Sequence, residues 1–320
     1  MSLRAVLLDE DQLIAEKEDI DRLVQAFTHC DRFAASTPEQ CATRIRFAEV
    51  VITNGTPLTR EQLSQARHLR LILIGGTGYE YVDHQAASEL GIALYNCREY
   101  GVDSIAQHTF ALMLALTNSI SQFQRTVRSQ QWQQADTFCL LSEPISELKD
   151  KTLVIIGFGA IGQRVQALAQ AFGMVVKLAE LPGRPLRPER SALDALLPIA
   201  DIVSLHCPLT DQTRTLFTAE RLALMKPSAF LINTARGAIV DEQALAQALA
   251  KGRLAGAGID VFCDEPPAPS HPLLSEALRD KVIATPHVAW GSAQARQKMV
   301  YQMVENVSHF TDGKRLRRVI

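Results

Sequence analysis

The chain has 320 residues, 47% of them hydrophobic and 21% charged, with 33 Lys and Arg against 35 Asp and Glu. That length exceeds one typical core and predicts two domains, while a formal net charge of −2 leaves no basic excess to neutralise the phosphates of a nucleic acid. The opening "MSLRAVLLDEDQ" turns acidic within a few residues and reads as neither a secretory signal nor a membrane span.

The six cysteines, Cys30, Cys41, Cys97, Cys139, Cys207 and Cys263, lie far apart, with no C-x-x-C and no Cys/His cluster at metal spacing. The expectation is reduced thiols, no metal, no membrane partner and a soluble cytoplasmic protein. The basic tail "KRLRR" (314–318) is expected to be a short solvated terminus.

In the first part, "AVLLD" (5–9), "VVIT" (50–53), "LILIG" (71–75) and "IALYN" (92–96) are short runs rich in Val, Ile and Leu, which predict buried strands. Helices are predicted between them over 17–27, 38–47, 59–67 and 83–90, the last with Asp83 as N-cap and Gly91 as stop. One long helix is predicted over 104–129, with an apolar middle short of membrane length. Six further strands follow from residue 152, in "TLVIIG", "MVVKLAE", "DIVSLH", "AFLINT", "LAGAGID" and "KVIAT". The segment 180–190, rich in Pro and Arg, reads as a surface loop, and a last helix spans 292–311. Alternating strand and helix predicts α/β architecture, two parallel sheets in tandem with helices on both faces. Ligands in such sheets bind beyond the carboxyl ends of the strands.

"GFGAIG" (157–162) matches G-x-G-x-x-G. The pattern alone is weak, but here a strand runs into Gly157 and an amphipathic stripe (Ile161, Val165, Leu168, Ala169, Phe172) follows Gly162. In that context Gly157 permits the tight turn, Gly159 lets the backbone approach a pyrophosphate, and Gly162 packs helix on strand, leaving helix N–H groups for the phosphates. Glu180 ends the next strand. A carboxylate there takes the adenosine ribose hydroxyls and repels a 2′-phosphate, which favours NAD. Arg184 and Arg187 follow closely and keep NADP open as well.

Hydride chemistry at a carbonyl needs a cation for the substrate's anionic end and an acid/base for the oxygen. Arg236, in "LINTARGAIVDE", ends a strand shortly before a helix with Asp241 as predicted N-cap. A cation gains nothing from a helix N-terminus, whereas its guanidinium fork fits a carboxylate. "GIDVFCDEPP" (258–267) ends another strand with Asp260, Asp264 and Glu265, and spacing does not choose between the last two. His287 follows Pro286 at the end of the last strand. A carboxylate beside it would favour the protonated ring and suit it to give a proton to a carbonyl oxygen.

These stretches, with "HCPLT" (206–210) and "TPHVAW" (285–290), stand in an order and spacing that resemble the D-isomer-specific 2-hydroxyacid dehydrogenases over nearly the whole chain, and within them the glycerate dehydrogenases or hydroxypyruvate reductases. The resemblance implies a Rossmann NAD-binding domain over 99–291 and a flavodoxin-like substrate domain from 1–98 and 292–320, with the active site in the cleft between two doubly wound parallel sheets. It implies that Arg236 binds substrate, that Glu265 rather than Asp264 orients the histidine, and that His287 is the proton donor. It implies further that Gly76, Thr77 and Gly78 hold the substrate carboxylate. Cofactor contacts would come from Gly157, Phe158, Gly159, Ala160, Ile161, Gly162 and Glu180, then from His206, Cys207, Pro208, Thr213, Thr234, Ala235, Arg236, Asp260 and His287.

The implied activity is NAD(H)-dependent interconversion of a small 2-oxo acid, hydroxypyruvate or glyoxylate, with the D-2-hydroxy acid, in a homodimer. Two alternatives stay open: an NADPH-preferring glyoxylate reductase, and a non-catalytic NAD-sensing binding protein. One departure from the family pattern is Glu99, where glycine is expected.

Overall fold

The computed structural model describes residues 3–320. The chain divides into two units, one running to Gly101 and resuming over Gly291–Ile320, the other spanning Val102–Trp290.

The first unit holds five parallel strands, β1 (Arg4–Leu7), β2 (His29–Arg32), β3 (Val50–Thr53), β4 (Leu71–Ile74) and β5 (Ala93–Tyr95), in the order β2-β1-β3-β4-β5. β3 and β4 are buried along their whole length, as central strands covered on both faces must be. β2, "HCDR", was not expected from the sequence. It is an edge strand with exposed ends, so polar residues cost it nothing and leave no apolar run to detect. The helices α1 (Glu10–Leu13), α2 (Lys17–Val24), α3 (Pro38–Ile45), α4 (Arg60–Gln65) and α5 (His84–Glu89) connect the strands. Thr37 with Gln40 and Thr59 with Gln62 form reciprocal caps that fix where α3 and α4 begin. Asp83 caps α5 through the Ala86 N–H, as its sequence position predicts.

The closing helix Ala293–Thr311 packs on this unit, where Asn306 donates to the Asn96 carbonyl at 3.0 Å. The basic tail keeps Lys314, Arg315, Leu316 and Arg318 exposed, while its backbone is tied to the sheet. Val319 N–H bonds the Leu94 carbonyl, Arg318 bridges to Tyr95, and Arg317 pairs with Glu305 at 2.6 Å. The tail covers the β5 edge, which would otherwise offer unpaired backbone groups.

The second unit begins with α6 (Val102–Thr117) and α7 (Ile120–Arg128). The single helix expected over 104–129 is broken here. Ser119 adopts a left-handed backbone at φ 49° and its hydroxyl bonds the Pro144 carbonyl, while Ser146 N–H takes the Thr117 carbonyl. α6 buries Ala106, Phe110, Leu112 and Met113, whereas α7 buries no residue, so nothing in the core requires the two to be collinear.

Seven parallel strands follow, in the order β12-β11-β10-β9-β6-β7-β8. They are β6 (Thr152–Ile156), β7 (Val175–Glu180), β8 (Arg190–Ala192), β9 (Ile202–Leu205), β10 (Phe230–Asn233), β11 (Gly256–Ile259) and β12 (Val282–Ala284), with α8 (Ala160–Ala171), α9 (Leu193–Leu196), α10 (Ala219–Leu224) and α11 (Glu242–Ala250) between them. Alternate residues serve opposite faces, the two-residue period of a strand. Leu153, Ile155, Ile202 and Ile232 meet α6 and α8, while Val154, Ile156, Val203 and Leu231 meet the α10–α11 side. β8, "RSA", is a second polar edge strand, beginning at the last residue of the expected 180–190 loop, where no strand was expected. No helix of the described residues is long and apolar enough to cross a membrane.

Candidate active site

The glycine loop sits where β6 gives way to α8. Gly157 has φ 92°, and a Cβ there would lie 2.4 Å from the Cys207 nitrogen, so the turn and the approach of the 206–207 backbone both require glycine. A Cβ on Gly162 would meet the Gly157 carbonyl oxygen at 2.3 Å, whereas one on Gly159 would meet nothing within 4 Å. Gly159 thus lines open space at the N-terminus of a 12-residue helix that has no side-chain cap, a cradle suited to a dinucleotide's pyrophosphate. Phe158 and Ile161 pack against the core, so from these positions only backbone is offered to a ligand.

Register places Glu180 beside the same loop, because Ile156 of β6 pairs with Ala179 of β7. Its carboxylate is buried and held by a fork: Arg187 Nε donates to Oε2 at 2.6 Å and Nη2 to Oε1 at 2.7 Å, with Arg190 at 3.6 Å. The Arg187 fork holds the Glu180 carboxyl down at about 2.

Loops at the ends of β9, β10, β11 and β12 bring the remaining candidates. At β9, desolvation pulls His206 down to about 4, leaving a neutral ring whose Nε2 pairs with Ser204 Oγ at 2.8 Å. Burial pushes Cys207 to about 11, and burial with the Glu242 carboxylate pushes Cys263 to about 12, so neither supplies a thiolate. Thr213 is buried, its hydroxyl spent on the Pro208 carbonyl at 2.7 Å, and it shapes the 208–213 loop from within. Thr234 is buried against Thr109 at 3.1 Å. At β10, Asn233 ties the loop by accepting from Ala235 N–H and donating to the Arg236 carbonyl, both near 3 Å. Arg236, half-buried, starts a short 3₁₀ turn, and Asp241 caps α11 as expected.

His287 Nδ1 lies 2.7 Å from Glu265 Oε2. The other carboxylate oxygen of Glu265 accepts the Phe262 N–H at 2.9 Å. Burial raises the Glu265 carboxyl, but the bonds from His287 and Phe262, aided by the charge of Arg236, outweigh it and hold the group below its usual range. Glu265, not Asp264, is therefore the carboxylate brought to the histidine. Because Nδ1–H is taken by that carboxylate, Nε2 is the ring position left to exchange a proton with a ligand. The pair is partly open, with side chains 42% and 36% exposed, so a ligand can reach it.

Asp260 has a part that sequence reasoning did not give it. Its side chain is 1% exposed and accepts from Thr285 Oγ1 at 2.5 Å and from the Val288 and Ala289 N–H groups at 2.9 Å, while its carbonyl takes the His287 N–H at 2.8 Å. His108 of α6 joins through Thr285 Oγ1 at 2.9 Å. The 285–289 loop, with His287 itself at φ 54°, is thus clamped from beneath. No local pattern links His108 to residues far along the chain, and only the packing of α6 on this sheet brings them together.

In the first unit, Gly76–Gly78 follow β4. Thr77 Oγ1 donates to the Cys97 carbonyl at 2.9 Å and Asn96 to the Thr77 carbonyl at 2.7 Å. The N–H groups of Gly76, Thr77 and Gly78 find no acceptor among the described residues. Glu99 takes φ 56°, the left-handed region that accounts for the glycine expected there, and Lys298 holds its carbonyl at 3.1 Å.

Comparison with known proteins shows the family. Residues 110–289 match the model of the D-isomer specific 2-hydroxyacid dehydrogenase NAD binding domain. A glycerate dehydrogenase of Methylorubrum extorquens is 37% identical, covering 98% of both chains, and a glyoxylate reductase of Aeropyrum pernix is 36% identical over 89% of this chain and 86% of its own. D-lactate dehydrogenase from Aquifex aeolicus, solved with NAD and lactic acid, superposes with a TM-score of 0.83 at 29% identity, covering 97% of this chain and 96% of its own. An acyclic imino acid reductase solved with NADPH and D-Arg superposes with a TM-score of 0.86 at 29% identity, covering 99% and 100%. The chain belongs to the D-isomer specific 2-hydroxyacid dehydrogenases, an NAD-binding oxidoreductase family.

Proposed function

We propose that the protein reduces a small 2-oxo acid, hydroxypyruvate or glyoxylate, to the D-2-hydroxy acid. The observation that carries this reading is the 2.7 Å contact between His287 Nδ1 and Glu265 Oε2, with Arg236 close enough to bias the same carboxylate. The names of the relatives, glycerate dehydrogenase, hydroxypyruvate reductase and glyoxylate reductase, support the substrate class.

Residues of the glycine loop and Glu180 would hold the dinucleotide, which when bound supplies the hydride for the substrate's C2. Arg236 takes the substrate's carboxylate and polarises its carbonyl through a fork that a lysine lacks. Glu265 fixes the tautomer and direction of His287, and the proton leaves Nε2 for the oxygen of the forming alcohol. Asp260, Thr285 and His108 keep the histidine's backbone in place. Gly76, Thr77 and Gly78 offer unspent N–H groups suited to a carboxylate.

Two features support an assembly and a compartment. The stretch from α7 to residue 146 exposes Ile120, Trp132, Phe138, Leu141 and Ile145, Phe138 at 91%, an apolar surface of the kind a homodimer covers. All six cysteines are unpaired, as in the reducing cytoplasm.

The test is NADH oxidation with hydroxypyruvate, glyoxylate and other 2-oxo acids, by wild type and His287→Gln. Wild type should turn over, and the variant should lose about 10²–10⁴ in kcat, the share of a general acid, while still binding NADH. Full turnover by His287→Gln refutes the assignment, and NADH binding without turnover of any 2-oxo acid favours a sensor instead.

A further inference from the structure

The peptide between Phe262 and Cys263 is held from two sides. On one, Gly237 leaves it room, since a Cβ there would lie 2.0 Å from the Phe262 carbonyl carbon. On the other, Glu242, the first residue of α11, accepts the Cys263 N–H on Oε1 at 2.8 Å. Glu242 Oε2 accepts from His271 Nε2 at 3.0 Å, and the two side chains are only 14% and 13% exposed. The His271 ring also packs edge-on against the Phe262 ring, their centroids 5.1 Å apart. A carboxylate only accepts, so Nε2 is the nitrogen that carries the proton. Nδ1 of the same ring is buried with no hydrogen-bond partner among the described residues, an unspent polar atom that fold stability alone does not account for.

The Phe262 N–H is the donor that Glu265 Oε1 takes at 2.9 Å, while Glu265 Oε2 faces His287 Nδ1 at 2.7 Å. The direction of that carboxylate therefore depends on where the 262–263 peptide stands. We infer that Glu242 and His271 are positioning residues for the Glu265–His287 pair, acting through the 262–263 backbone and the Phe262 ring. The inference rests on the reading of that pair as the acid–base machinery. Glu242 holds the peptide by its N–H, and His271 holds both Glu242 and the Phe262 ring. Because α11 follows the loop of Arg236, the same carboxylate ties that loop to the one carrying Glu265. A carboxylate is favourable in the first turn of any helix, so Glu242 has a local role as well. That role does not account for the convergence of His271 and the Cys263 N–H on its two oxygens.

The test is the pH dependence of hydroxypyruvate reduction by wild type, Glu242→Gln and His271→Phe. Glu242→Gln leaves one acceptor for the two donors, and His271→Phe keeps a ring against Phe262 but loses the N–H. Each should lower kcat and kcat/KM together, by roughly tenfold or more, as misplacement of an acid–base pair does. The Phe262 bond helps hold the Glu265 carboxyl below its usual range, so releasing it should raise that carboxyl and move the acidic limb of kcat/KM to higher pH. His271→Gln, which keeps a donor for Glu242, should recover part of the rate lost in His271→Phe. Asp201→Asn is the control. Asp201 takes Lys226 and the Thr152 N–H at the opposite ends of the strands, so this change should lower the melting temperature and leave the limb in place. Melting temperatures show which variants are folded, and the isosteric Glu242→Gln decides by itself where His271→Phe does not fold. Wild-type kcat and an unmoved limb in folded Glu242→Gln, or an equal shift of the limb in Asp201→Asn, overturns the inference alone. A wild type that reduces no 2-oxo acid overturns it together with the functional reading beneath.

Discussion

Replacing Gly237 with alanine should separate the loops that carry Arg236 and Glu265. Gly237 is buried directly after Arg236, and a Cβ placed there would lie 2.0 Å from the Phe262 carbonyl carbon, 2.2 Å from its oxygen and 2.3 Å from the Cys263 nitrogen. All three are backbone atoms, so no side chain can rotate away. Carbon atoms in ordinary contact stand about 3.5–4.0 Å apart, so the two backbones must part by more than about an ångström. The segment displaced is the one whose Phe262 N–H anchors Glu265 at 2.9 Å. An ångström of misplacement costs on the order of 10²-fold in rate, and overpacking of this kind costs about 1–3 kcal/mol of stability. Steady-state kinetics with hydroxypyruvate, NADH binding and thermal unfolding would be measured together. Gly237→Ala should lose kcat by about 10²-fold with a smaller loss of NADH affinity, because the 157–162 loop is not touched. Gly252→Ala is the control, a position at φ 65° with open space around it, which should cost about 1 kcal/mol of strain and leave kcat intact. Wild-type turnover in folded Gly237→Ala would refute the idea that this close approach holds the site together.

Asp260→Ala orphans the buried Ala289 N–H and the part-buried Val288 N–H, at about 1–3 kcal/mol for a buried one, takes one of the Thr285 hydroxyl's two partners, and should lower the melting temperature together with kcat; Asp260→Asn, which keeps one acceptor, should lose less. The Glu180–Arg187 pair depresses a carboxyl to about 2, so its stabilising contribution is present above the unfolded glutamate value of about 4.3 and is lost as pH falls through the folded value. Melting curves of wild type and Glu180→Gln should therefore differ by a constant amount above about pH 5 and converge toward about pH 2. If the apolar stretch after α7 forms the proposed dimer contact, Phe138→Asp should lower the sedimentation coefficient from that of a dimer to that of a monomer in sedimentation velocity; an unchanged coefficient would refute that contact.

Much of the fold was legible because central strands of a parallel sheet are buried on both faces and show as unbroken runs such as "VVIT" and "LILI". The strands that escaped notice, "HCDR" and "RSA", are edges whose side chains meet water, so hydrophobic patterning carries no trace of them. The break at Ser119 was hidden for a related reason. A helical period continues through it, and the Ser119–Pro144 bond that turns the chain comes from residues 25 apart.

The sequence by itself determined the positions of the buried strands, the glycine turn into α8, and the order of Arg236, the Asp264/Glu265 pair and His287 at successive strand ends, because each depends on residue type within a short stretch. Tertiary structure alone decided that Asp260 spends its carboxylate clamping the histidine's loop and that Glu180 lies under Arg187 rather than open to solvent, and it sets Glu265, which spacing did not separate from Asp264, against His287. Those outcomes depend on where separate strand ends and loops converge. A carboxylate's role follows from which donors reach it in space, and adjacency along the chain does not encode that.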